Sequence, residues 1–161
     1  MLKFLALAGG VAGAAALSQF PEFSQQYLQR LSGAVDELRV SVVAFDTLAN
    51  AAGVTREEAL AQLDGSTFLT GLQEHHGEQV YRYERLSSDY NALRQAEPLQ
   101  RLAQVWRFND PDLAQRTWDD FRPAVPVTTD GLLCAGIGFA GGWLVLTIAF
   151  GLLKLPFRRF A

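Results

Sequence analysis

One cysteine and two histidines are all that this 161-residue chain offers of the softer metal ligands. The lone thiol, Cys134, closes no disulfide within the chain and builds no cysteine-based metal site. His75 and His76 are adjacent, so on a helix they point about 100° apart and do not grip one ion as an i, i+4 pair does. There is no Gly-Lys-Ser/Thr phosphate loop and no serine in a Gly-x-Ser-x-Gly setting. The acid pairs Glu57-Glu58 and Asp119-Asp120 read as first-turn or solvated charges, with nothing in the sequence to make carboxylates converge. These shortages predict a protein that is not an enzyme and that holds neither cofactor nor metal.

Charge is missing altogether from Gly131 to Leu153, GLLCAGIGFAGGWLVLTIAFGLL, a run of 23 residues. As a helix it would extend roughly 34 Å, enough to cross a bilayer core of about 30 Å. A buried helix of a soluble protein rarely stays uncharged on every face for so long. Lys154, Arg158 and Arg159 follow, with Phe157 and Phe160 among them, a pattern that holds a helix end on the cytoplasmic side. Acidic residues are absent from both ends: Lys3, Lys154, Arg158 and Arg159 give them +4, whereas residues 20–130 set ten Arg against seventeen Asp or Glu, −7. Lys and Arg near membrane ends mark cytoplasmic segments. The layout therefore predicts both termini in the cytoplasm and the acidic middle in a bacterial periplasm or its equivalent. An acidic middle also excludes nucleic acid, which needs a basic surface.

The first twenty residues, MLKFLALAGGVAGAAALSQF, have one early Lys and an apolar core from Phe4 to Leu17. That length fits a short membrane span or the apolar region of a signal peptide, for which Ala14-Ala15-Ala16 offers a cleavage pattern. Ala6, Gly9, Gly13 and Ala16 fall three and four apart, and so do Gly131, Ala135, Gly138 and Gly142, with Ala149 further on. Each segment thus carries a Gly-x-x-x-Gly, Gly9 to Gly13 and Gly138 to Gly142, which lets helices approach closely in lipid. The spans are expected to pack on each other or on copies of themselves. Cys134 is expected to be one more small packing residue.

Between the two apolar runs the pattern is helical throughout. Pro21 suits a first helical turn, and Leu28, Leu31, Val35, Leu38, Val42, Phe45, Ala49 and Ala52 then repeat at three and four, a coiled-coil-like seam. Gly53 is a stop, Thr55 with Glu58 a capping box for a short helix from Arg56 to Leu63, and Asp64-Gly65-Ser66 a turn. A second long helix is expected from Thr67 to Ala96, its seam formed by Leu72, His76, Gln79, Tyr83, Leu86, Tyr90 and Leu93. Two such helices joined by a short connection pack antiparallel as a rod of roughly 45 Å. Pro98 opens a short amphipathic helix facing inward with Leu99, Leu102, Val105 and Trp106. Asp110-Pro111 caps another, Asp112 to Arg122, with Leu113, Trp118 and Phe121 facing one way. Pro123 and Pro126 end it, and Thr128 or Thr129 caps the last span. Tyr81, Tyr83 and Tyr90 with Arg82 and Arg85 form the most aromatic polar stretch, core or interface.

The expected fold is an all-α membrane protein, two transmembrane helices flanking an extracytoplasmic antiparallel helical hairpin or bundle. The expected divisions are a first membrane segment at 1–20, the helical domain at 21–127, a second span at 128–154 and a basic cytoplasmic tail at 155–161. SQFPEFSQQYLQRLSGAVDEL, from Ser18 to Leu38, and FRPAVPVTTDGL, from Phe121 to Leu132, resemble a bacterial family of unknown function, number twenty-nine thirty-seven in the domain-of-unknown-function series. That family has the same plan: a short first span, a helical middle and a proline-rich entry to a second span. The resemblance implies an uncleaved first span and a bacterial inner membrane, and transfers no activity. The reading that follows is a structural or accessory membrane protein whose partners are the bilayer and either itself or another membrane protein. A sensing module is the alternative, its output carried by a partner because only eight residues follow Leu153. An enzyme or transporter fits less well, since the apolar runs hold no ionisable side chain apart from the cysteine.

Overall fold

The computed structural model describes residues 2–154, and within them every regular element is a helix. The apolar run Leu2–Leu17 forms α1, and α2 (Phe20–Ala51) follows after only two residues. Pro21 lies in the first turn of α2, where its missing N–H breaks the hydrogen-bond ladder, but Gln19 keeps a right-handed helical conformation and Phe23 donates to its carbonyl at 2.9 Å. The two helices therefore run on almost as one rod. Ala49 to Val54 closes α2 in a Schellman motif: Gly53, at φ +75°, donates to Asn50 and Val54 to Ala49.

The capping box at Thr55 and Glu58 opens α3 (Arg56–Ala61), and Arg56 reaches back to Asp46 on α2 at 2.6 Å. That hydrogen bond holds the Asp46 carboxyl below its ordinary pKa. Gly65, at φ +99°, makes the turn into α4 (Thr67–Gln95), which Ser66 caps. Then come α5 (Pro98–Leu102), a 3-10 turn at Val105–Arg107, α6 (Pro111–Asp119), an irregular proline-bearing linker and α7 (Thr129–Lys154). Thr128 caps α7, its hydroxyl accepting from the Gly131 N–H at 3.2 Å. Two helical stretches, the first beginning at Lys3 and the second at Thr129, are long and apolar enough to cross a membrane. The tail expected at 155–161, with Arg158 and Arg159, lies outside the described residues.

α2 and α4 touch along their length in opposite order: Arg101, just beyond α4, reaches Gln25, while Ser41 meets Gln79 and Phe45 meets His76. The main core lies near the start of α2, where α6 adds a third layer over Tyr27, Leu31, Val35, Leu86, Leu93 and Leu113. Farther out Val42 and Ala49 are buried, in the stretch where Ser41 meets Gln79 and Phe45 meets His76.

Several expectations about facing are corrected. Ala52 is exposed, and the α2 seam begins instead at Ser24 and Tyr27. On α4 the position between Leu86 and Leu93 is filled by buried Asp89, with Tyr90 half-exposed beside it. Val105 and Trp106 face solvent rather than the core, and Arg101 is buried in their stead. Trp118 is likewise exposed; Thr117, one turn after Leu113, is the buried residue. Four residues advance a helix by about 400°, close to a full turn, whereas five overshoot by about 140°.

Candidate functional site

The four glycines Gly9, Gly13, Gly138 and Gly142 meet pairwise. A Cβ on Gly13 would overlap the carbonyl oxygen of Gly138, and one on Gly138 would overlap that of Gly13; a Cβ on Gly142 would overlap the Gly9 carbonyl oxygen, while one on Gly9 would run first into the Leu146 side chain. α1 and α7 are thus antiparallel and touch backbone to backbone, at a spacing that permits Cα–H···O contacts and that no side chain could share. Gly10 continues the seam against Phe139, Ala6 and Cys134 are buried, and Gly131 is buried against Pro126 and Thr128 of the linker instead. Ala16 and Ala149, read as seam members, are exposed, and Cys134 takes the place given to Ala135. Gly136, Gly141 and Gly151 face open space.

Of the proposed seam between the long helices, Leu31, Val35, Val42, Leu86 and Leu93 are buried, and Leu28, Leu38, Phe45, Leu72, Tyr83 and Tyr90 are half-buried. Phe45 packs across on His76 at 4.7 Å, and Tyr90 lies under Arg94 at 5.6 Å. His75 bonds Gln79 at 3.1 Å. Among the described residues no three His, Cys, Asp or Glu side chains gather where an ion could sit.

A group of charges that the sequence does not announce ties the third layer down. Asp110, whose side chain is 3% exposed, caps α6 through the Leu113 N–H at 3.1 Å and accepts from Arg85 at 2.9 Å and Arg82 at 3.2 Å. Arg107 donates to Asp89 at 2.9 Å. Arg101 donates through Nε to the carbonyls of Leu93 and Ala96, both at 3.0 Å, and so closes the C-terminus of α4. Burial lowers the Arg101 pKa, with Glu97 opposing. Tyr27 is 1% exposed, and burial pushes its hydroxyl up to about 12, against a backbone hydrogen bond from Asp110 that lowers it. It therefore stays neutral, a filler of the core between α2 and the α6 cap.

Below this group, where α1 passes into α2, lies an aromatic cluster with a cavity of about 430 Å³. Phe108 packs on Phe20 at 5.8 Å and on Tyr27 at 4.7 Å, and Phe23 on Phe121 at 5.8 Å, while Trp118 stacks against Phe121. The cavity is bounded by Gly13, Ala16 and Leu17 of α1, by Phe20 and Phe23, and by Trp118 and Phe121. Two glutamines clamp the linker over it. The Gln19 side chain donates to the Ala124 carbonyl and accepts from its N–H, both at 3.1 Å, and Gln26 grips Arg122 in the same way at 3.2 and 3.4 Å. These reciprocal amide pairs fix where the linker leaves for α7.

The chain matches, over residues 1–159, the family model described as Protein of unknown function (DUF2937). Neither the comparison with curated proteins nor that with solved structures gives a match.

Proposed function

The chain belongs to that family, and we propose that it is an integral membrane protein with a structural or accessory role, acting through its helical middle on a partner in the same membrane. The observation that carries this reading is the glycine seam. Because Gly9, Gly13, Gly138 and Gly142 are used within one chain, α1 and α7 form a closed pair, and the surface left for a partner is the outer faces of the spans and the middle. In the proposed topology both ends are cytoplasmic and the middle lies in a bacterial periplasm. The exposed apolar residues Val105, Trp106, Trp118, Val125 and Val127 support a membrane surface at the α1–α2 junction. Aromatic side chains favour that level of the bilayer. No catalysis is part of this reading: the histidines and the buried acids are occupied by neighbours within the fold.

Two experiments test it. A reporter active only in the periplasm, fused after Gly65, is expected to be on, and one fused after Ala161 off; the reverse pattern overturns the topology. The tagged chain, purified at native expression in a gentle detergent, is expected to run as a stoichiometric complex with another membrane protein. A monomer or homo-oligomer would move weight to the sensing reading, in which a ligand that binds the middle raises its apparent melting temperature.

A further inference from the structure

The aromatic cavity does not end at Phe121. On α2 its wall residue Phe23 is followed one and two turns later by Gln26 and Arg30, which bound a second cavity of about 420 Å³ together with Gln29, Asp120 and Arg122. The two cavities follow one another along α2, each facing the end of α6 or its linker. Its chemistry changes along the way, from the apolar floor beside α1 to a polar upper end. At that upper end Arg30 pairs with Asp120, while Arg122 makes no ion pair among the described residues. The side chains lining the polar cavity thus set two arginines against one carboxylate, with Glu22 held on Gln26 at its edge at 2.9 Å, and the apolar cavity opens on the flank of a helix that the proposed function places in lipid.

We propose that this crevice binds one phospholipid with a monoanionic headgroup, an acyl chain lying in the apolar cavity and the phosphate over Arg122. The inference rests on the membrane reading given above. Three features select this occupant. A cavity of about 430 Å³ falls within the range of about 300–1,000 Å³ usual for a bound small molecule. Its walls are rigid rings and helix backbone, offering an acyl chain contact at little conformational cost. A guanidinium without a carboxylate partner is the group that takes a phosphodiester by paired, charge-assisted hydrogen bonds.

Trp118 in the cavity wall provides the readout. The test uses the full chain in detergent with Trp106→Phe and Trp143→Phe, so that Trp118 is the remaining indole. The titrant is phosphatidylglycerol brominated on its acyl chains, which quenches an indole in contact. The expected result is quenching that saturates at one lipid per chain. Arg122→Gln, an exposed substitution that leaves the Gln26 clamp on the backbone intact, should weaken apparent affinity about three- to tenfold. Ala16→Phe, which fills the cavity from α1 with an apolar side chain, should abolish the saturable phase. Quenching that rises without saturating overturns the site. So does equal quenching by brominated phosphatidylethanolamine, or an affinity that Arg122→Gln leaves unchanged. Alkaline carbonate separates this from the parent reading. A chain washed out of membranes by it loses both, whereas a chain that stays but shows only unsaturable quenching loses the lipid site alone.

Discussion

Leucine in place of Gly138 is expected to pull α1 away from α7 while the helical middle keeps its fold. The Cβ alone would run into the Gly13 carbonyl oxygen and come within 2.8 Å of the Leu17 Cβ, so backbone, rather than a pliable side-chain tip, would have to move. Overpacking a tight site costs about 1–3 kcal/mol. In lipid no hydrophobic force draws the helices back together, because the tails are as apolar as leucine. Cys134 reports on the outcome, since it is fully buried one turn from Gly138 and is the chain's single cysteine. A loss of about 2 kcal/mol raises the open population roughly thirtyfold, and the rate at which a small permeant reagent labels Cys134 should rise by about that factor. Gly136→Leu is the matched control: it adds the same side chain on the same helix, where a Cβ meets nothing. Equal labelling rates in both variants would show that the seam does not hold the spans together.

This seam was among the most legible features of the sequence, and the reason is local. Small residues three and four apart on two charge-free runs leave few arrangements other than close helix contact. Helix ends were legible on the same ground, because caps such as Thr55 with Glu58 and stops such as Gly53 act within a few residues. Which of several packing partners each face would find was less legible. The spacing alone left open whether Gly9 and Gly13 meet Gly138 and Gly142 of the same chain or of another copy. Inside the chain the pairing is set by α2 and α4 returning the linker to the foot of α2, where Gln19 and Gln26 fix it.

The buried charges were not legible at all. Asp89, Arg101 and Asp110 look in sequence like members of a solvated face, and an arginine is seldom expected inside. Each is buried because a partner arrives from a segment 8 to 76 residues away, as Arg107 does for Asp89 and Gln25 for Arg101. Periodicity reports which residues share a face and carries no sign of such a pairing. Asp89 and Arg101 take buried positions where apolar residues were expected, while Trp106 and Trp118 are exposed.

Asp110→Ala is expected to lower the stability of the helical middle more than any other single change to its charges. The carboxylate is inaccessible to water and serves three donors at once: the Leu113 N–H, Arg82 and Arg85. Loss of an N-cap costs about 1 kcal/mol. Removing one partner from a buried ion pair costs about 3–5 kcal/mol when the survivor is trapped, but Arg82 and Arg85 are 39% and 34% exposed and can turn toward solvent. Their Nε atoms are buried without a partner even in the intact protein, so relief by rotation is available to both. A total of about 3 kcal/mol follows, equivalent to a fall in melting temperature of about 12–24 °C for a domain of this size, read by helical circular dichroism on the full chain in detergent. Asp110→Asn keeps the capping oxygen and loses only the charge, so it should fall between the variant and the parent. Asp36→Ala sets the baseline, since Asp36 meets Arg39 at 3.5 Å in an exposed pair, and its removal should cost no more than about 0.5 kcal/mol. If Asp110→Ala melts with Asp36→Ala, the cap and its arginines do not anchor α6. The linker beside the aromatic cavity would then be held by the glutamine clamps alone.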